Sequence, residues 1–290
     1  MSEDLIFKHY MKEEVLSEIS SFSSGRWIGV HCSKFDKNGV QLMFRYFPGT
    51  GKPLKIVSKE DLRKLLKILE RFSPRTFYAS INIYENLESE EDVHDRENIV
   101  ASTPTWDIDP LKNDYRQVVK AVEELISILD RFGISKSLIV KWSGRGAHLH
   151  IHPNAFSPEL YRKIHPLDIA YSTTEYILNM MSGYSYVKIE NRIDLGRVFT
   201  APLSIHRRLD RVVVCINPDE IREFDLSWTE IDKFRHYSSW GEYSVGEGDE
   251  LGERAFKEVG PYTYVGRKKR IHKPLDRQIL ETFDRFKDVV

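Results

Sequence analysis

Ser102-Thr-Pro-Thr-Trp-Asp-Ile-Asp-Pro110 is the stretch on which the reading of this chain turns. Two carboxylates, Asp107 and Asp109, stand two residues apart, behind the apolar run Ile99-Val100-Ala101 and ahead of Pro110. A strand alternates its side chains with period two, so both acids point to one side. Carboxylates sharing a side repel each other and cost desolvation energy unless a cation lies between them. An oxygen-only site of this kind suits Mg²⁺ or Mn²⁺. Taken alone, the stretch reads better as a strand end with two solvated acids; its surroundings shift the weight.

Downstream, Asp114 is placed to cap a helix whose apolar positions Val118, Val119, Val122, Leu125, Ile126, Leu129 and Phe132 keep the 3.6-residue period, and Gly133 stops it. Residues 137–142 read as a strand, Ser143-Gly-Arg-Gly146 as a tight turn, and 147–152 as a second strand. This order puts the acids and the glycine turn near one sheet edge. Gly144 and Gly146 let the backbone turn sharply and bring its N–H groups to a ligand. Ser143 adds a hydroxyl, Arg145 a fork of donors suited to phosphate oxygens, and His148 a further donor. Together they form a cradle for a polyphosphate; the plain alternative is a hairpin turn with Arg145 in solvent. His148, His150 and His152 share a side. A zinc site is conceivable there, but packing, substrate-face or surface polar roles suit His150 and His152 better.

Further on, Asp194 follows Ile193 and is a candidate third carboxylate, or else a loop acid paired with Arg192 or Arg197. Three carboxylates can hold two divalent ions roughly 3.5–4 Å apart, an arrangement for phosphoryl transfer. Ser204 and His206 flank Ile205 and share a face in an extended segment, with Arg207 and Arg208 next; the alternative is a solvated basic loop.

The rest of the chain supplies a mixed frame. Residues 5–20 predict a helix, and 26–32 with 40–47 a hairpin around Asp36-Lys-Asn-Gly39. Ser58 opens a helix with Asp61 three residues on, an acidic form of the capping box. Residues 76–84 read as a strand and 85–98 as a polar surface loop or short helix. Ser157-Pro158 starts a long helix to about 181, open to interruption at Pro166. Residues 186–189 and 211–216 read as strands and 238–260, rich in Gly and Glu, as a loop or linker. A terminal amphipathic helix over 274–288 turns Leu275, Ile279, Leu280, Phe283 and Phe286 inward.

The 290 residues suffice for one large domain or two modules sharing a cleft. Hydrophobic residues at 41% and charged residues at 30% fit a soluble globular chain, and a formal net charge of −1 leaves any nucleic-acid site to a local basic groove. Cys32 and Cys215 alone exclude a disulfide scaffold and a four-cysteine zinc site, and fit a cytoplasmic location. No apolar run nears the roughly 18 residues of a membrane span. The opening Met-Ser-Glu-Asp-Leu lacks the pattern of a signal peptide.

The set Trp106-Asp-Ile-Asp109, Ser143-Gly-Arg-Gly-Ala-His148, Ile193-Asp194 and Ser204-Ile-His206, in this order, resembles the archaeo-eukaryotic primase superfamily. That resemblance implies an α+β fold: an RRM-like catalytic module at about 99–237 packed against an N-terminal α/β module at about 1–98, the active site in the cleft between them, and a C-terminal extension over 238–290. It implies that Asp107, Asp109 and Asp194 bind two divalent ions, Mg²⁺ or Mn²⁺. Ser143, Gly144, Arg145, Gly146 and His148 would hold a nucleoside triphosphate, with Ser204 and His206 on the same phosphates and Arg197 assisting. This chain's second motif is one residue shorter than in many members, and two distant cysteines cannot build the zinc knob of replicative primases. The compact spacing from Asp194 to Ser204 is closer to the polymerase domains of bacterial end-joining ligases.

The function implied is template-dependent nucleotidyl transfer from nucleoside triphosphates on a DNA template and primer, with a large primase subunit or another replication or repair protein as a further partner. Arg207, Arg208 and Arg211, and the run Arg267-Lys-Lys-Arg270, are the candidates for a nucleic-acid track. Two other readings stay open: a metal-dependent nuclease or phosphodiesterase built from the same acids, and a non-catalytic RRM-like nucleic-acid-binding subunit. Pyrophosphate release separates polymerase from nuclease, and indifference to Asp107→Ala marks the binding subunit.

Overall fold

In the computed structural model, residues 3–112, 114–181 and 185–263 are described. The expected helix over 274–288 and the basic run Arg267-Lys-Lys-Arg270 lie outside them. The chain starts with two helices, α1 (Glu3–Tyr10) and α2 (Glu13–Ser23), where the sequence predicted one. The break falls at Lys12, whose backbone is extended at φ −66° and ψ 132°. It lets Tyr10 and the Val15–Leu16 pair enter the same core. β1 (Arg26–Phe35) and β2 (Gln41–Phe44) form the expected hairpin, closed by Asp36 N–H donating to Val40 O at 2.8 Å, with Gly39 at φ +72°. α3 (Lys59–Ile68) begins at Ser58, and the Ser58–Asp61 capping box is fully formed. Such a cap contributes about 1 kcal/mol. β3 (Pro74–Tyr84) follows, then short 3₁₀ turns, then β4 (Ile99–Ser102).

At Thr103-Pro104 the chain leaves one sheet for another. β5 (Thr105–Pro110) carries the acids, and α4 (Tyr115–Arg131) starts on the Asp114 side chain, which accepts from Arg116 N–H. β6 (Leu138–Trp142) and β7 (Ala147–Ile151) come next. Pro166 splits the long helix into α5 (Pro158–Lys163) and α6 (Pro166–Leu178). β8 (Val187–Asn191) closes this run, and β9 (Val198–Thr200) and β10 (Val214–Ile216) follow.

Among the described residues the strands form two antiparallel sheets, so the fold is α+β. The first runs β2-β1-β3-β4, and β9 returns to pair with β3. The second runs β10-β6-β7-β5-β8. The acid strand is thus flanked on both sides, by β7 and β8, rather than standing at the edge that the sequence suggested. Its even positions, Trp106 and Ile108, are fully buried, and Trp106 Nε1–H donates to Thr174 O on α6 at 3.0 Å. Odd positions therefore face the first sheet. The stretch 238–260, expected to be a loop, contains α7 (Asp249–Val259), which packs along α6. Glu247 ties this segment down by accepting from the backbone N–H groups of Ser135, Lys136 and Ser137 at 2.8–3.0 Å. No helix of the described residues is long and apolar enough to cross a membrane.

Candidate active site

Antiparallel register assembles a row of polar side chains across the second sheet. Cys215, Lys141, His148, Asp107 and Glu190 lie directly opposite one another on successive strands. All five therefore point to the face that meets the first sheet. Asp109, two residues beyond Asp107, shares that face.

Asp107 is largely enclosed and doubly partnered. His148 Nε2 lies 3.4 Å from its Oδ1, and Arg192 Nε lies 2.9 Å from its Oδ2. Burial alone would raise its carboxyl, but His148 and the Arg192 and Arg197 guanidiniums win and hold it below the usual carboxylate range. Asp109 reaches solvent and goes the other way: partial desolvation of its carboxyl, then the charge of Asp107, push it up. Burial pushes His148 down, so its imidazole is neutral at pH 7. With Nε2–H facing the carboxylate, Nδ1 is the bare nitrogen, buried without a partner among the described residues. Phe199 of β9 lies edge-on to both His148 and His150, at 4.6 and 5.6 Å between ring centres. His152 stacks on Tyr243 at 4.4 Å instead. The three histidines therefore do not converge on one point.

The glycine turn stands against the acids for a steric reason. A Cβ on Gly146 would lie 2.2 Å from Ile108 O and 3.2 Å from Asp109 Oδ1. Only glycine lets the turn approach the acid strand so closely. Gly144, at φ +124°, faces the other way: a Cβ there would lie 2.5 Å from the His206 ring. Ser143 N–H donates to Gly146 O at 2.9 Å, closing the turn, and Arg145 is exposed at its tip. His206 Nδ1 accepts from the backbone N–H groups of Arg208 and Leu209 at 3.1 and 2.9 Å. Burial, then the charges of Arg207, Arg145, Arg75 and Arg208, push it down to about 4. A neutral imidazole whose Nδ1 accepts carries its proton on Nε2, as a donor.

Ser204 is brought close in chain but not to the surface: it is fully buried, and its Oγ accepts from Phe77 N–H at 2.8 Å. Leu203 before it holds a left-handed backbone at φ +57°, a local strain next to this element. Arg75, which sequence reasoning passed over, anchors the loop by donating to His206 O, Leu209 O and Asp210. Arg207 lies 3.4 Å from His31, Arg208 is exposed, and Arg211 turns inward to Leu226 O and Thr229.

Asp194 sits in the loop between β8 and β9, at the seam of the two sheets. Its Oδ2 pairs with Arg197 at 2.9 Å and its Oδ1 accepts from Gly196 N–H at 2.8 Å. The loop is fastened to the first sheet by Asn82, Tyr84 and Arg45, which donate to its carbonyls. Among the described residues no group of three or more His, Cys, Asp or Glu side chains stands close enough to hold a metal ion. Asp107 and Asp109 fit a divalent ion as a pair: they are oxygen donors on one face, and a guanidinium already stands against Asp107. Asp194 is turned to Arg197 instead. Sequence reasoning missed Glu190 and the bridging role of Arg192; the alternation of Lys188 and Glu190 around Ile189 was the available signal.

No protein-family model matches the chain, and no curated protein matches it. Among solved structures it is similar to the polymerase domain of Mycobacterium tuberculosis ligase D in complex with DNA, at 12% identity over 91% of each chain and a TM-score of 0.54. At that identity the likeness shows a shared fold.

Proposed function

We propose that this protein is a template-dependent nucleotidyltransferase of the primase–polymerase type, acting in the cytoplasm on nucleoside triphosphates, a DNA template and a primer. The observation that carries the reading is the fit of the glycine turn between Asp109 and His206, which sets an acid pair beside an anion cradle. The chain order strand, helix, strand, strand, the split helix α5–α6, strand from β5 to β8, with sheet order β6-β7-β5-β8, supports an RRM-like catalytic module. We assign 1–98 to the N-terminal module, 99–237 to the catalytic module, which lends β4 and β9 to the first sheet, the cleft to the seam between the two sheets, and 238–290 to the extension.

Arg145, His206 Nε2–H and the backbone N–H groups of the turn bind and orient the triphosphate. Gly144 and Gly146 keep it close to the acids, and Ser143 closes the turn. His148 holds Asp107 in one orientation. Ser204 fixes the segment that presents His206. Asp107, Asp109 and Asp194 would hold Mg²⁺ or Mn²⁺, and Arg197, now paired with Asp194, would assist on the phosphates. Held there, such ions would supply activation of an attacking 3′-hydroxyl and charge stabilisation for a leaving pyrophosphate. Arg207 and Arg208 remain the candidates for the nucleic-acid backbone, and a large subunit or repair protein for a partner.

Primer extension on a primed DNA template, with labelled nucleoside triphosphates and Mn²⁺ or Mg²⁺, tests the reading. Extension with pyrophosphate release, abolished in Asp107→Ala/Asp109→Ala, is expected. Strand cleavage without extension would replace it with the nuclease reading.

A further inference from the structure

Asp107 and Glu190 are directly opposite on β5 and β8 and point to one side. Two like charges so placed are destabilising unless a cation joins them. Arg192, two residues beyond Glu190, folds back and supplies it. Its Nε lies 2.9 Å from Asp107 Oδ2, and its terminal nitrogen pairs with Glu190. Lys188 Nζ takes the other Glu190 oxygen at 2.9 Å.

Both oxygens of Asp107 therefore stand in ion-pair range of a basic side chain before any metal arrives. His148 cannot yield, since it is 7% exposed, sits opposite Asp107 in the ladder and is packed on Phe199. Arg192 can. It lies just past the end of β8 with 36% of its side chain exposed, and it has a second acidic partner in Glu190. We propose that Arg192 is a positioning residue: it stands in for the divalent ion at Asp107, holds that carboxylate in place, and retires onto Glu190 when the ion binds. This rests on the reading of Asp107 and Asp109 as metal ligands. Ion binding is then an exchange of cations, and its affinity is set by competition with Arg192.

The test is Mn²⁺ binding to the full-length, nucleotide-free protein, followed through the electron paramagnetic resonance signal of free Mn²⁺. Arg192→Gln should tighten binding by about tenfold, as expected for removal of a competing, partly buried ion pair. Arg192→Lys keeps the charge but loses the fork that spans both carboxylates, and should tighten it by about threefold. Arg208→Gln removes a charge of the same sign that does not touch the acids, and should change it by less than about twofold. Asp107→Asn should abolish the binding. Unchanged or weaker binding in Arg192→Gln, with Asp107-dependent binding intact in the wild type, overturns the role of Arg192 and leaves the metal site standing. Equal tightening by Arg208→Gln overturns it too, because only general charge is then at work. Absence of any Asp107-dependent Mn²⁺ binding in wild type and Arg192→Gln overturns this proposal together with the reading beneath it.

Discussion

Gly146→Ala isolates the approach of the glycine turn to the acid strand. The new methyl would sit 2.2 Å from Ile108 O, where ordinary contact starts at 3.4 Å. The obstacle is a backbone carbonyl within a paired strand, so no side chain can swing aside. Relief requires β5 and β7 to part by about 1 Å at their open end, a fifth of the usual ~4.8 Å strand spacing. That breaks the ladder bonds flanking the Ile108–Ala147 pair, at about 1 kcal/mol each, on top of an overpacking strain of about 1–3 kcal/mol. A loss of about 3–5 kcal/mol lowers Tm by roughly 6–20 °C in a chain of this size. Asp109 Oδ1, 3.2 Å from the same methyl, moves with the strand. A displacement near 1 Å at a reacting centre costs about 100-fold in rate. Differential scanning fluorimetry and primer extension read the two effects. Gly133→Ala is the control: Gly133 is at φ +77° with open space around it, so alanine there costs about 1 kcal/mol of backbone strain and no activity. Gly146→Ala with wild-type Tm and activity would refute the close approach, as would equal loss of activity in Gly133→Ala.

Gly144→Ala should weaken triphosphate binding by about tenfold or more, because its methyl would displace His206, and isothermal titration with a non-hydrolysable nucleotide would measure it. In metal-free protein, Asp107→Asn should lower stability by about 1–3 kcal/mol at pH 7, since it strips Arg192 of a partner; an unchanged Tm contradicts this. The Asp107 contribution is present above the unfolded carboxyl pKa and vanishes as pH falls through the depressed folded value. Asp109→Asn should instead stabilise metal-free protein slightly, by less than about 1 kcal/mol, since its carboxyl is pushed up and faces solvent. Lys141 is fully buried, its ammonium 2.8 Å from Thr200 O and 4.0 Å from the centre of the Phe22 ring, and burial lowers its pKa to about 7. Between pH 7 and 10.5 the unfolded chain binds the Lys141 proton and the folded chain does not, so stability from this group rises with pH. Lys141→Met should remove that rise; thermal melts at pH 7 and 9.5 that move in parallel for both proteins would count against it.

Local rules gave the elements that depend on nearby residues. Asp114, the 3.6-residue stripe and Gly133 define α4, and Ser58 with Asp61 defines the start of α3. The same is true of the Asp107–Asp109 strand and the turn after it. What escaped depends on register and on distant packing. The alternation of Lys188 and Glu190 marks a shared face but not that Glu190 lies opposite Asp107, and so the bridge made by Arg192 was not legible. α7 was hidden by its glycines, which read as loop markers. Gly248 and Gly252 are instead places where the backbone meets Phe156 and Leu160 too closely for a side chain. Ser204 was expected on a phosphate face because it alternates with His206. The strained turn at Leu203 sends its hydroxyl to Phe77 instead.

The loop from Arg192 to Arg197 leaves one sheet and is fastened to the other, at Asn82, Tyr84 and the β3–β9 pair. Asp107 and Asp109 hang from the sheet that it leaves. The span between the acids of the proposed site is therefore fixed by how the two halves of the molecule are seated, as the gap of a caliper is fixed by its jaws. Neither jaw carries the chemistry alone. Transplanting the Asp-Ile-Asp strand and its glycine turn into another scaffold would move the marks without the instrument, and a nick between the sheets would disable the site while leaving each sheet's own pairing whole.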